Sequence, residues 1–544
     1  MQRNKIERLK AETTPFDWGE KIESLDMRRL DDAQRFYLKN YGIYHSKLAP
    51  DRFMLRVRFA GGRIELSNLR ALIGIAKEHK AQVVLTARAQ LELHDLHADN
   101  VLSVWRRITD EGMTTLQTLT DNFRNIVTDP YDGCLSHCRI ETYPLIEKMQ
   151  SLFLNDPKWM GMLPRKFNTA ICGNEESQVH FYGNDLYFAL ARKQERWGFN
   201  LYWGGKNSET AKCADIFVVP DEVPEMFRAV ATVYLRDGLR GTRAKTRLFH
   251  LIETIGEASF RKKVIACYGK EVCCAGETAV GFERASLWTR LRSGKYGYCV
   301  QSRFGTMPIE TLESVLAFAQ ERSLEVRIGI DQNMYLIGLD SMNAPFFRVK
   351  GASQITACAG SRYCALSLWN IKEETAYLPL EKIESHHIQV GFSGCLKGCG
   401  RHHHCDIGLV GLRTNLFGET QKAARVFLGG QYSTGKSVAR LIFPSVPLVH
   451  LSSLLEKIIE AYEQSEASDF ESFTALYLNP HSTFFVMLWF LAQLYLDAPL
   501  KLEKKSEAAL YDKLCQYETF PVFEDDENYL RSIKTMMHAL WDDA

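Results

Sequence analysis

The chain of 544 residues carries one pattern twice, and this internal duplication limits its fold more than any other feature. Residues 58–96, RFAGGRIELSNLRALIGIAKEHKAQVVLTARAQLELHDL, parallel residues 303–339, RFGTMPIETLESVLAFAQERSLEVRIGIDQNMYLIGL. Each copy predicts a strand, a turn, an amphipathic helix with apolar residues at every third or fourth position, and a strand. A duplication of this kind predicts a second pair of matching segments elsewhere in the chain.

A second pair of repeats lies downstream of the first pair, at residues 200–227 and 425–451. Both copies predict an apolar strand, a Gly-Gly pair, a polar loop, a short helix start, a second apolar run and a Val-Pro turn. Two copies of the same two-part unit predict a pseudo-twofold molecule.

The second Gly-Gly turn overlaps G-x-x-x-x-G-K-S, the phosphate-binding pattern of nucleotide hydrolases, in GGQYSTGKS from Gly429 to Ser437. The second copy has Gly435, Lys436 and Ser437, whereas the first copy has Thr210, Ala211 and Lys212 at the same positions. Only the paired glycines are common to both copies, so the repeat favours a turn built from those glycines. The amides of Gly429 and Gly430 are then expected to approach an anion. A nucleotide-binding or zinc-stabilised interaction protein remains a remote alternative.

Bulk composition excludes several classes of protein. Lys plus Arg is 67 and Asp plus Glu is 66, so no global basic field favours nucleic acid or a membrane surface. The first residues lack the apolar core of a signal peptide, and the longest apolar run, 484–496, is shorter than a membrane span and predicts a buried helix. Fourteen cysteines without a secretory signal indicate a cytoplasmic protein whose clustered thiols bind metal or do chemistry.

Four cysteines form two closely spaced pairs, Cys358-x5-Cys364 and Cys395-x3-Cys399. Thiolates are soft ligands, and four of them suit zinc or an iron–sulfur cluster. Neither pair has the C-x2-C spacing of a zinc ribbon, and the small residues beside them allow a backbone to wrap a bulky cluster. An iron–sulfur cluster is the favoured interpretation, with zinc or four buried free thiols as alternatives.

These cysteines, followed by DIGLVG (406–411), and the motifs LTAR, DNFRNI and LPRKFN resemble the sirohaem-dependent nitrite and sulfite reductases. The resemblance implies an α+β fold with pseudo-twofold duplicated architecture: two ferredoxin-like half-repeats, two α/β domains that bind sirohaem and the cluster, and helical termini. It also implies a division into an N-terminal helical segment (1–48), half-repeat 1 (49–115), sirohaem-binding domain 1 (116–290), half-repeat 2 (291–345), [4Fe-4S]/sirohaem-binding domain 2 (346–470) and a C-terminal helical extension (471–544).

The resemblance also implies which residues hold the cofactors. Cys358, Cys364, Cys395 and Cys399 are expected to bind a [4Fe-4S] cluster, and Cys399 also to bridge to the sirohaem iron. Arg165 matches a residue that faces sirohaem carboxylates, and Gly429, Gly430 and Lys436 are expected to serve the same cofactor. Lys397 also belongs to this set, although the chain has Leu396-Lys397 where the family usually has Pro-Asn, and Ala89 where it usually has Gln.

The substrates of this family are small oxyanions, so the site needs cations and proton donors. By motif match, the resemblance implies Arg88, Arg124, Lys166 and Asn168 as catalytic residues. Sulfite reductases typically read K-F-K where this chain reads K-F-N, and one fewer lysine suits the less charged nitrite anion. We therefore predict six-electron reduction of nitrite to ammonium, with reduction of sulfite to sulfide by the same cofactors as the alternative.

The chain shows no dinucleotide fingerprint, so its electrons are expected from a separate protein, ferredoxin, docking on a monomer. The basic stretches 3–12 and 238–250 are candidate docking segments, although the second is also explained as a helix face or as a partner of cofactor carboxylates. RHHHC (401–405) and CLSHC (134–138) are left unassigned because neither supplies a full metal-ligand set. Cys273 and Cys274 are expected to be buried.

Overall fold

The computed structural model describes residues 3–45, 49–282, 286–415, 420–435 and 437–495. The chain divides into two compact units. Unit 1 is Met1–Ser353 with Ser433–Lys436, and unit 2 is Gln354–Tyr432 with Ser437–Ala544. Within the described ranges, no helix combines the length and the apolar character needed to cross a bilayer. Lys436 and the C-terminal extension beyond residue 495 lie outside the described residues.

The α-helices lie at both ends of the described chain and between the sheets. In chain order they are α1 (Lys5–Glu12), α2 (Asp32–Leu38), α3 (Leu66–Glu78), α4 (Val101–Asp110), α5 (Tyr143–Ser151), α6 (Val223–Asp237), α7 (Leu248–Ile255), α8 (Glu257–Tyr268), α9 (Ile309–Arg322), α10 (Ile371–Glu374), α11 (Leu380–Ser385), α12 (Leu448–Glu463), α13 (Phe470–Phe473) and α14 (Thr483–Tyr495).

The strands are short and mostly antiparallel. In chain order they are β1 (Ile43–His45), β2 (Arg52–Val57), β3 (Arg63–Ile64), β4 (Gln82–Leu85), β5 (Leu91–His97), β6 (Thr169–Cys172), β7 (Glu176–Ser177), β8 (Leu186–Lys193), β9 (Arg196–Trp203), β10 (Lys212–Val218), β11 (Glu277–Thr278), β12 (Gly281–Phe282), β13 (Trp288–Arg290), β14 (Tyr296–Val300), β15 (Thr306–Met307), β16 (Glu325–Ile328), β17 (Met334–Leu339), β18 (Ile355–Ala357), β19 (Val390–Ser393), β20 (Ile407–Thr414), β21 (Gln421–Leu428) and β22 (Arg440–Pro447).

The first pair of repeats forms two five-stranded sheets in unit 1, ordered β1-β2-β5-β4-β15 and β13-β14-β17-β16-β3. Each copy donates an edge strand to the sheet of the other copy. Thr306 of β15 pairs with Val84 of β4, and Ile64 of β3 pairs with Val326 of β16, both in antiparallel register. This reciprocal exchange confirms the duplication, and the mixture of helices and sheets confirms the α+β class.

The amphipathic helix of each copy is also present. In α3 the residues buried at helical spacing include Leu69, Leu72 and Ala76, and in α9 they include Leu312 and Val315. Because three or four residues separate neighbours on one helix face, each helix covers its sheet with a single apolar stripe. The two helices contact each other in unit 1.

The second pair of repeats gives each unit a mixed sheet of the same design. In unit 1, β6 is parallel to β8, and β8, β9 and β10 follow as antiparallel neighbours before α6. In unit 2, β19 is parallel to β20, and β20, β21 and β22 follow in the same way before α12. Both Gly-Gly pairs end the middle strand, and their first glycines, Gly204 and Gly429, have φ values of 80° and 85°.

The structure corrects one local expectation and rejects one alternative. The short helix start expected after each Gly-Gly pair is not formed by the described residues, which lead through turns to β10 and β22. A phosphate-binding loop requires a helix at this point, and here a strand follows, so the nucleotide-binding interpretation of Gly430–Ser437 lacks its structural context. The hydroxyl of Ser437 instead donates to the carbonyl of Gly429 at 3.0 Å.

The described part of the apolar run, residues 484–495, lies in helix α14 and is buried, as the sequence predicts. Phe485, Val486, Met487, Trp489 and Phe490 each keep 5% or less of their surface exposed. The helix contacts α12 and β22, so it belongs to the core of unit 2.

The Gly-Gly turn of unit 1 generates a stability prediction. A Cβ on Gly205 would lie 2.2 Å from the carbonyl oxygen of Tyr182, whereas one on Gly74, inside α3, would lie 3.7 Å from the nearest side-chain nitrogen. We expect Gly205→Ala to lower the free energy of unfolding by about 1–3 kcal/mol through overpacking. Gly74→Ala, the matched control, should raise it by up to about 1 kcal/mol through helix propensity. Thermal unfolding midpoints of the two variants moving in the same direction would contradict this assignment.

Candidate functional site

The motifs DNFRNI and LPRKFN lie side by side in unit 1. Phe123 and Phe167 form a parallel bridge, and the amide of Arg124 donates to the carbonyl of Phe167 at 2.8 Å. Both phenylalanines are buried in the core of the unit. Because side chains alternate across extended backbone, Arg124, Lys166 and Asn168 point to the opposite face, where all three are half-buried.

Arg88, from the third motif, ties these two segments together from the turn between β4 and β5. Its guanidinium donates to the carbonyl of Asn125 at 2.6 Å, to the carbonyl of Thr169 at 3.0 Å and to Oδ1 of Asn184 at 2.5 Å. Asn125 and Thr169 directly follow Arg124 and Asn168 in the chain. The four residues expected to be catalytic are therefore gathered in one region of unit 1.

The backbone beside Arg88 is held in an unusual conformation. Ala89, at the position where the chain departs from the family pattern, has a φ of 51°, in the left-handed region. The side-chain amide of Asn125 donates to the carbonyls of Arg88 and Ala89 at 3.1 and 3.3 Å, and to the carbonyl of Phe59 at 2.7 Å. These bonds fix the turn that presents Arg88.

Arg124 is the electrostatic centre of this cluster. Burial lowers its pKa well below the ordinary value, and the nearby charges of Arg56 and Arg165 lower it further, while Asp121 opposes the shift. Its Nη1 is buried and has no hydrogen-bond partner within the described residues. A guanidinium that is buried among other cations, with a donor left over, is stabilised when an anion binds beside it.

Arg165 takes part in a buried ion network rather than standing alone. Its Nη1 lies 3.5 Å from Oδ1 of Asp121, a fully buried carboxylate that also contacts Arg243 at 2.6 Å and Lys10 at 2.9 Å. Burial would raise the pKa of Asp121, but the charges of Lys10 and Arg243 hold it below the usual range. Three cations thus surround one carboxylate, and Glu7 offsets part of their charge by pairing with Lys10 at 2.7 Å.

Three arginines of the basic stretch 238–250 bind carboxylates within unit 1, while Lys245 is exposed. Arg240 binds Glu7 at 2.5 Å, and Arg247 makes two bonds to the buried Asp185, at 2.9 and 2.6 Å. With Arg243 on Asp121, these arginines face carboxylates of their own unit, which disfavours this stretch as a partner-binding segment. Asp185 also accepts the backbone amide of Asn168 at 2.8 Å, so the same network positions Asn168.

The four cysteines lie in unit 2, around one edge of its sheet. Cys358 follows β18, and Cys395 and Cys399 follow β19, the parallel neighbour of β18. The amide of Gly394 donates to Sγ of Cys358 at 3.2 Å, and the amide of Leu368 donates to the carbonyl of Gly394 at 3.1 Å. That second bond brings the turn that carries Cys364 to the same edge.

The four thiols are accessible and lie near one another. Cys399 is exposed and the other three are half-buried, whereas the neighbouring Cys405 is 1% exposed. Burial raises the pKa of Cys358 to about 12, with the charge of Cys399 adding to the rise. Burial also raises the pKa of Cys395, to which the charges of Cys399 and Cys364 contribute. Iron would replace the protons on these thiols when a cluster binds.

The local backbone fits a cluster-binding loop. A Cβ on Gly394 would lie 1.7 Å from Oγ of Ser367, and Gly360 and Gly398 have φ values of 84° and 70°, so glycine is required at these positions. Among the residues that the structure describes, no group of three or more His, Cys, Asp or Glu side chains is arranged so that it could hold a single metal ion.

Other predicted cofactor residues occupy the same unit. A Cβ on Gly430 would lie 2.2 Å from the carbonyl oxygen of Cys405, and one on Gly429 would lie 2.2 Å from Oδ1 of Asn479. Packing within unit 2 therefore accounts for both glycines, whether or not their amides also bind an anion. Lys397 is exposed in the loop between Cys395 and Cys399.

The unassigned histidines and cysteines have structural partners. Nδ1 of His402 lies 3.0 Å from Oγ of Ser393, and Nδ1 of His403 lies 3.0 Å from the carbonyl of Ala439. Both rings pack on Phe427. In the CLSHC stretch, Sγ of Cys134 accepts from Arg327 at 3.4 Å, and Sγ of Cys138 donates to the carbonyl of Ile140 at 3.5 Å.

The expectation that Cys273 and Cys274 are buried is wrong, because both are exposed. They follow α8, and the carbonyl of Cys273 accepts from the amide of Phe217 at 2.9 Å. Sequence reasoning also missed Asp121 and Asn125, although both belong to DNFRNI, the motif in which only the arginine was selected. Their position in the same motif as Arg124 was the sequence signal that could have identified them.

The ion network around Asp121 gives a second prediction. Asp121→Asn should lower the free energy of unfolding by about 3–5 kcal/mol, because it leaves buried cations without their carboxylate. Asp99→Asn is the matched control, since Asp99 forms a 2.6 Å ion pair with Arg28 that is more than half exposed. Loss of that exposed pair should lower the free energy of unfolding far less, because water screens its charges. If denaturant unfolding shows the same loss of unfolding free energy in both variants, the Asp121 network contributes no more to stability than a surface ion pair.

Comparisons with known proteins match most of this architecture. Residues 119–272 and 369–470 match the model of the nitrite and sulphite reductase 4Fe-4S domain, and residues 45–110 match the nitrite/sulfite reductase ferredoxin-like half domain. Cys395 and Cys399 fall within the first match, whereas Cys358 and Cys364 fall between its two segments.

Relatives align with the chain over most of their length. The ferredoxin–nitrite reductase of Synechococcus elongatus is 26% identical over 498 residues, covering 84% of this chain and 96% of the relative. The chloroplastic ferredoxin–nitrite reductase of Spinacia oleracea is 24% identical, covering 84% and 85%. The solved structure of the Mycobacterium tuberculosis NirA protein superposes with a TM-score of 0.79 at 23% identity, covering 89% of this chain and 97% of that one.

Proposed function

We propose, from the premise that this chain belongs to the nitrite and sulphite reductase family, that it reduces nitrite to ammonium with electrons from ferredoxin. The observation that carries the proposal is the bridge that Arg88 makes to the carbonyls of Asn125 and Thr169. This bridge gathers Arg124, Lys166 and Asn168 into one region whose positive charge suits a small oxyanion.

The four side chains in this region have different roles in the proposal. Arg124, with a buried donor that has no partner within the described residues, binds the anion and stabilises its charge. Lys166 carries a dissociable proton and is the proposed donor as oxygen leaves as water. Arg88 donates to three protein oxygens, so its proposed role is to position the other two motifs.

The proposed cofactors are a [4Fe-4S] cluster and sirohaem, which when bound supply the electrons and an iron that accepts the anion. In unit 2, Cys358, Cys364, Cys395 and Cys399 are the proposed residues that would hold the cluster, and Cys399 would also serve sirohaem. The donor set supports this, because four accessible thiols suit iron and the loop between them needs glycine. Arg165 in unit 1, and Lys397, Gly429 and Gly430 in unit 2, are the proposed partners of sirohaem.

Asn168 is the proposed determinant of substrate choice. Its backbone is fixed by Asp185 and by the amide of Leu186, which donates to the Asn168 carbonyl at 3.1 Å. The side chain at this position therefore lies at a defined place on the same face as Arg124 and Lys166. A neutral amide there limits the positive charge and favours nitrite over an anion of higher charge.

Ferredoxin is the proposed donor because the relatives carry that partner in their names. Of the two basic stretches suggested by the sequence, 238–250 has Arg240, Arg243 and Arg247 paired with carboxylates of unit 1. Stretch 3–12 has Arg3, Lys5 and Arg8 exposed, so it stays the proposed docking segment. Steady-state rates with reduced ferredoxin, compared with reduced methyl viologen, test the identity of the donor.

Substitution of Asn168 by lysine tests the specificity. At an effective dielectric constant of about 20 and a separation of about 4 Å, the attraction between a unit positive charge and each unit of anion charge is on the order of 4 kcal/mol, before desolvation costs. We expect Asn168→Lys to raise kcat/KM for sulfite relative to nitrite, measured with reduced methyl viologen. Asn343→Lys, the same change at an exposed position, should leave the ratio unchanged. A ratio that stays constant in Asn168→Lys, or moves toward nitrite, contradicts the role of Asn168.

Removal of single thiols tests the proposed ligands. Cys399→Ala deletes an exposed sulfur, so the fold should persist while the visible absorption and the iron content of the purified protein fall. Cys405→Ala deletes a buried sulfur six residues away and should keep both signals. Circular dichroism checks that each variant is folded. Equal loss of iron from both folded variants would mean that the ligands are assigned wrongly.

A further inference from the structure

Three consecutive backbone carbonyls just before Arg165 are each bound by a different cation of unit 1. The cation–carbonyl pairs are Arg240 with Met162 at 3.1 Å, Lys10 with Leu163 at 2.7 Å and Arg243 with Pro164 at 3.3 Å. These cations come from two parts of the chain that are far from the carbonyls in sequence. The backbone is therefore fixed immediately before Arg165 and Lys166, the proposed sirohaem partner and proton donor.

Lys10 reaches this segment from helix α1. The helix begins after its cap Asn4, whose side chain accepts from the amides of Ile6 and Glu7 at 3.0 and 3.2 Å and donates to the carbonyl of Arg240 at 2.8 Å. Glu7 and Lys10 lie three residues apart on one helix face, and both are buried. The cap and the buried face together fix the ammonium group of Lys10.

Two buried carboxylates hold the three cations. Glu7 pairs with Lys10 at 2.7 Å and with Arg240 at 2.5 Å. Asp121 pairs with Lys10 at 2.9 Å and with Arg243 at 2.6 Å. Lys10 thus contacts both carboxylates. Removal of its charge leaves an arginine on each of them, so the fold should persist while one backbone carbonyl loses its donor.

The segment held in this way carries a side chain of the proposed anion site. Lys166 lies three residues beyond Leu163 in the chain. Arg124 is held separately, because the adjoining carbonyl of Asn125 accepts from Arg88 at 2.6 Å. Loss of the bond at Leu163 is therefore expected to displace Lys166 more than Arg124.

We propose that Lys10 is a positioning residue for the reduction, because it fixes the place from which Lys166 donates a proton to the small oxyanion. The inference rests on the proposed function for its chemistry, and Lys10 acts through the carbonyl of Leu163 without contacting the substrate. A general acid must lie within hydrogen-bond reach of the atom that receives its proton. A displacement of about 1 Å is therefore enough to slow the reaction.

Hydrogen–deuterium exchange in the holoenzyme tests the positioning without turnover. Lys10→Met keeps an unbranched side chain and removes the charge and the donors. Peptides covering 162–168 should exchange about tenfold faster in this variant than in wild type, because the segment opens more easily. Arg327→Met is the matched control, since Arg327 is a buried cation of unit 1 that donates to the carbonyls of Pro130 and Asp132 at 3.0 and 2.7 Å. It should leave the exchange of 162–168 unchanged.

Steady-state kinetics give a second readout. Reduced methyl viologen serves as donor, so that any docking of a protein on stretch 3–12 has no effect. We expect Lys10→Met to lower kcat for nitrite about tenfold or more, because the proton donor is displaced. KM should change by less than about twofold, because Arg124 keeps its place. Arg327→Met should keep both constants.

A second variant keeps the test decisive if Lys10→Met does not fold. Glu7→Gln retains Lys10 but removes the charge of one of its two carboxylates, so it should shift both readouts in the same direction by a smaller factor. Unchanged exchange of 162–168 in the folded variants, or an equal fall of kcat in Arg327→Met, would overturn the proposal. Wild-type protein without nitrite turnover would refute the proposed function, whereas the exchange result tests the hold of Lys10 on this segment by itself.

Discussion

The guanidinium of Arg88 is the contact on which the arrangement of the anion site depends. It lies at the end of β4 and donates to the carbonyls that follow Arg124 and Asn168, so one planar group sets the spacing of two chain segments. Guanidinium groups hold several oxygens in fixed directions, which a lysine at this position could not do. The half-repeat and the adjoining α/β sheet of unit 1 are thereby joined where the proposed substrate residues lie.

The distribution of charge in unit 1 follows from that arrangement. The buried carboxylates Asp121 and Asp185 are each matched by at least one arginine, and these pairs hold the chain around the site. Arg124 lies beyond them, near Arg56 and Arg165, and no carboxylate neutralises it fully. These two carboxylates are therefore neutralised by other cations, while Arg124 keeps a buried donor without a partner among the described residues, a condition that favours binding of a small anion.

Much of this was visible in the sequence, because it depends on local patterns. The two repeats, the amphipathic helices α3 and α9 and the glycine turns follow from spacing and residue type. The exchange of β3 and β15 between half-repeats could not be predicted, since strand partners distant in sequence are chosen by packing. The pairing of the arginines in stretch 238–250 with carboxylates of unit 1 could not be predicted for the same reason. Its acidic partners, Glu7, Asp121 and Asp185, come from three other parts of the chain.

The reaction proposed for this chain is the conversion of nitrite to ammonium. The most direct measurement is the stoichiometry of the reaction under anaerobic conditions, with reduced methyl viologen as donor and nitrite as limiting substrate. Reduction of nitrite to ammonium requires six electrons, so the account predicts that each nitrite consumed oxidises about six viologen radicals and releases one ammonium ion. Release of nitric oxide instead of ammonium, or turnover of sulfite to sulfide at a higher kcat/KM than that for nitrite, would contradict it.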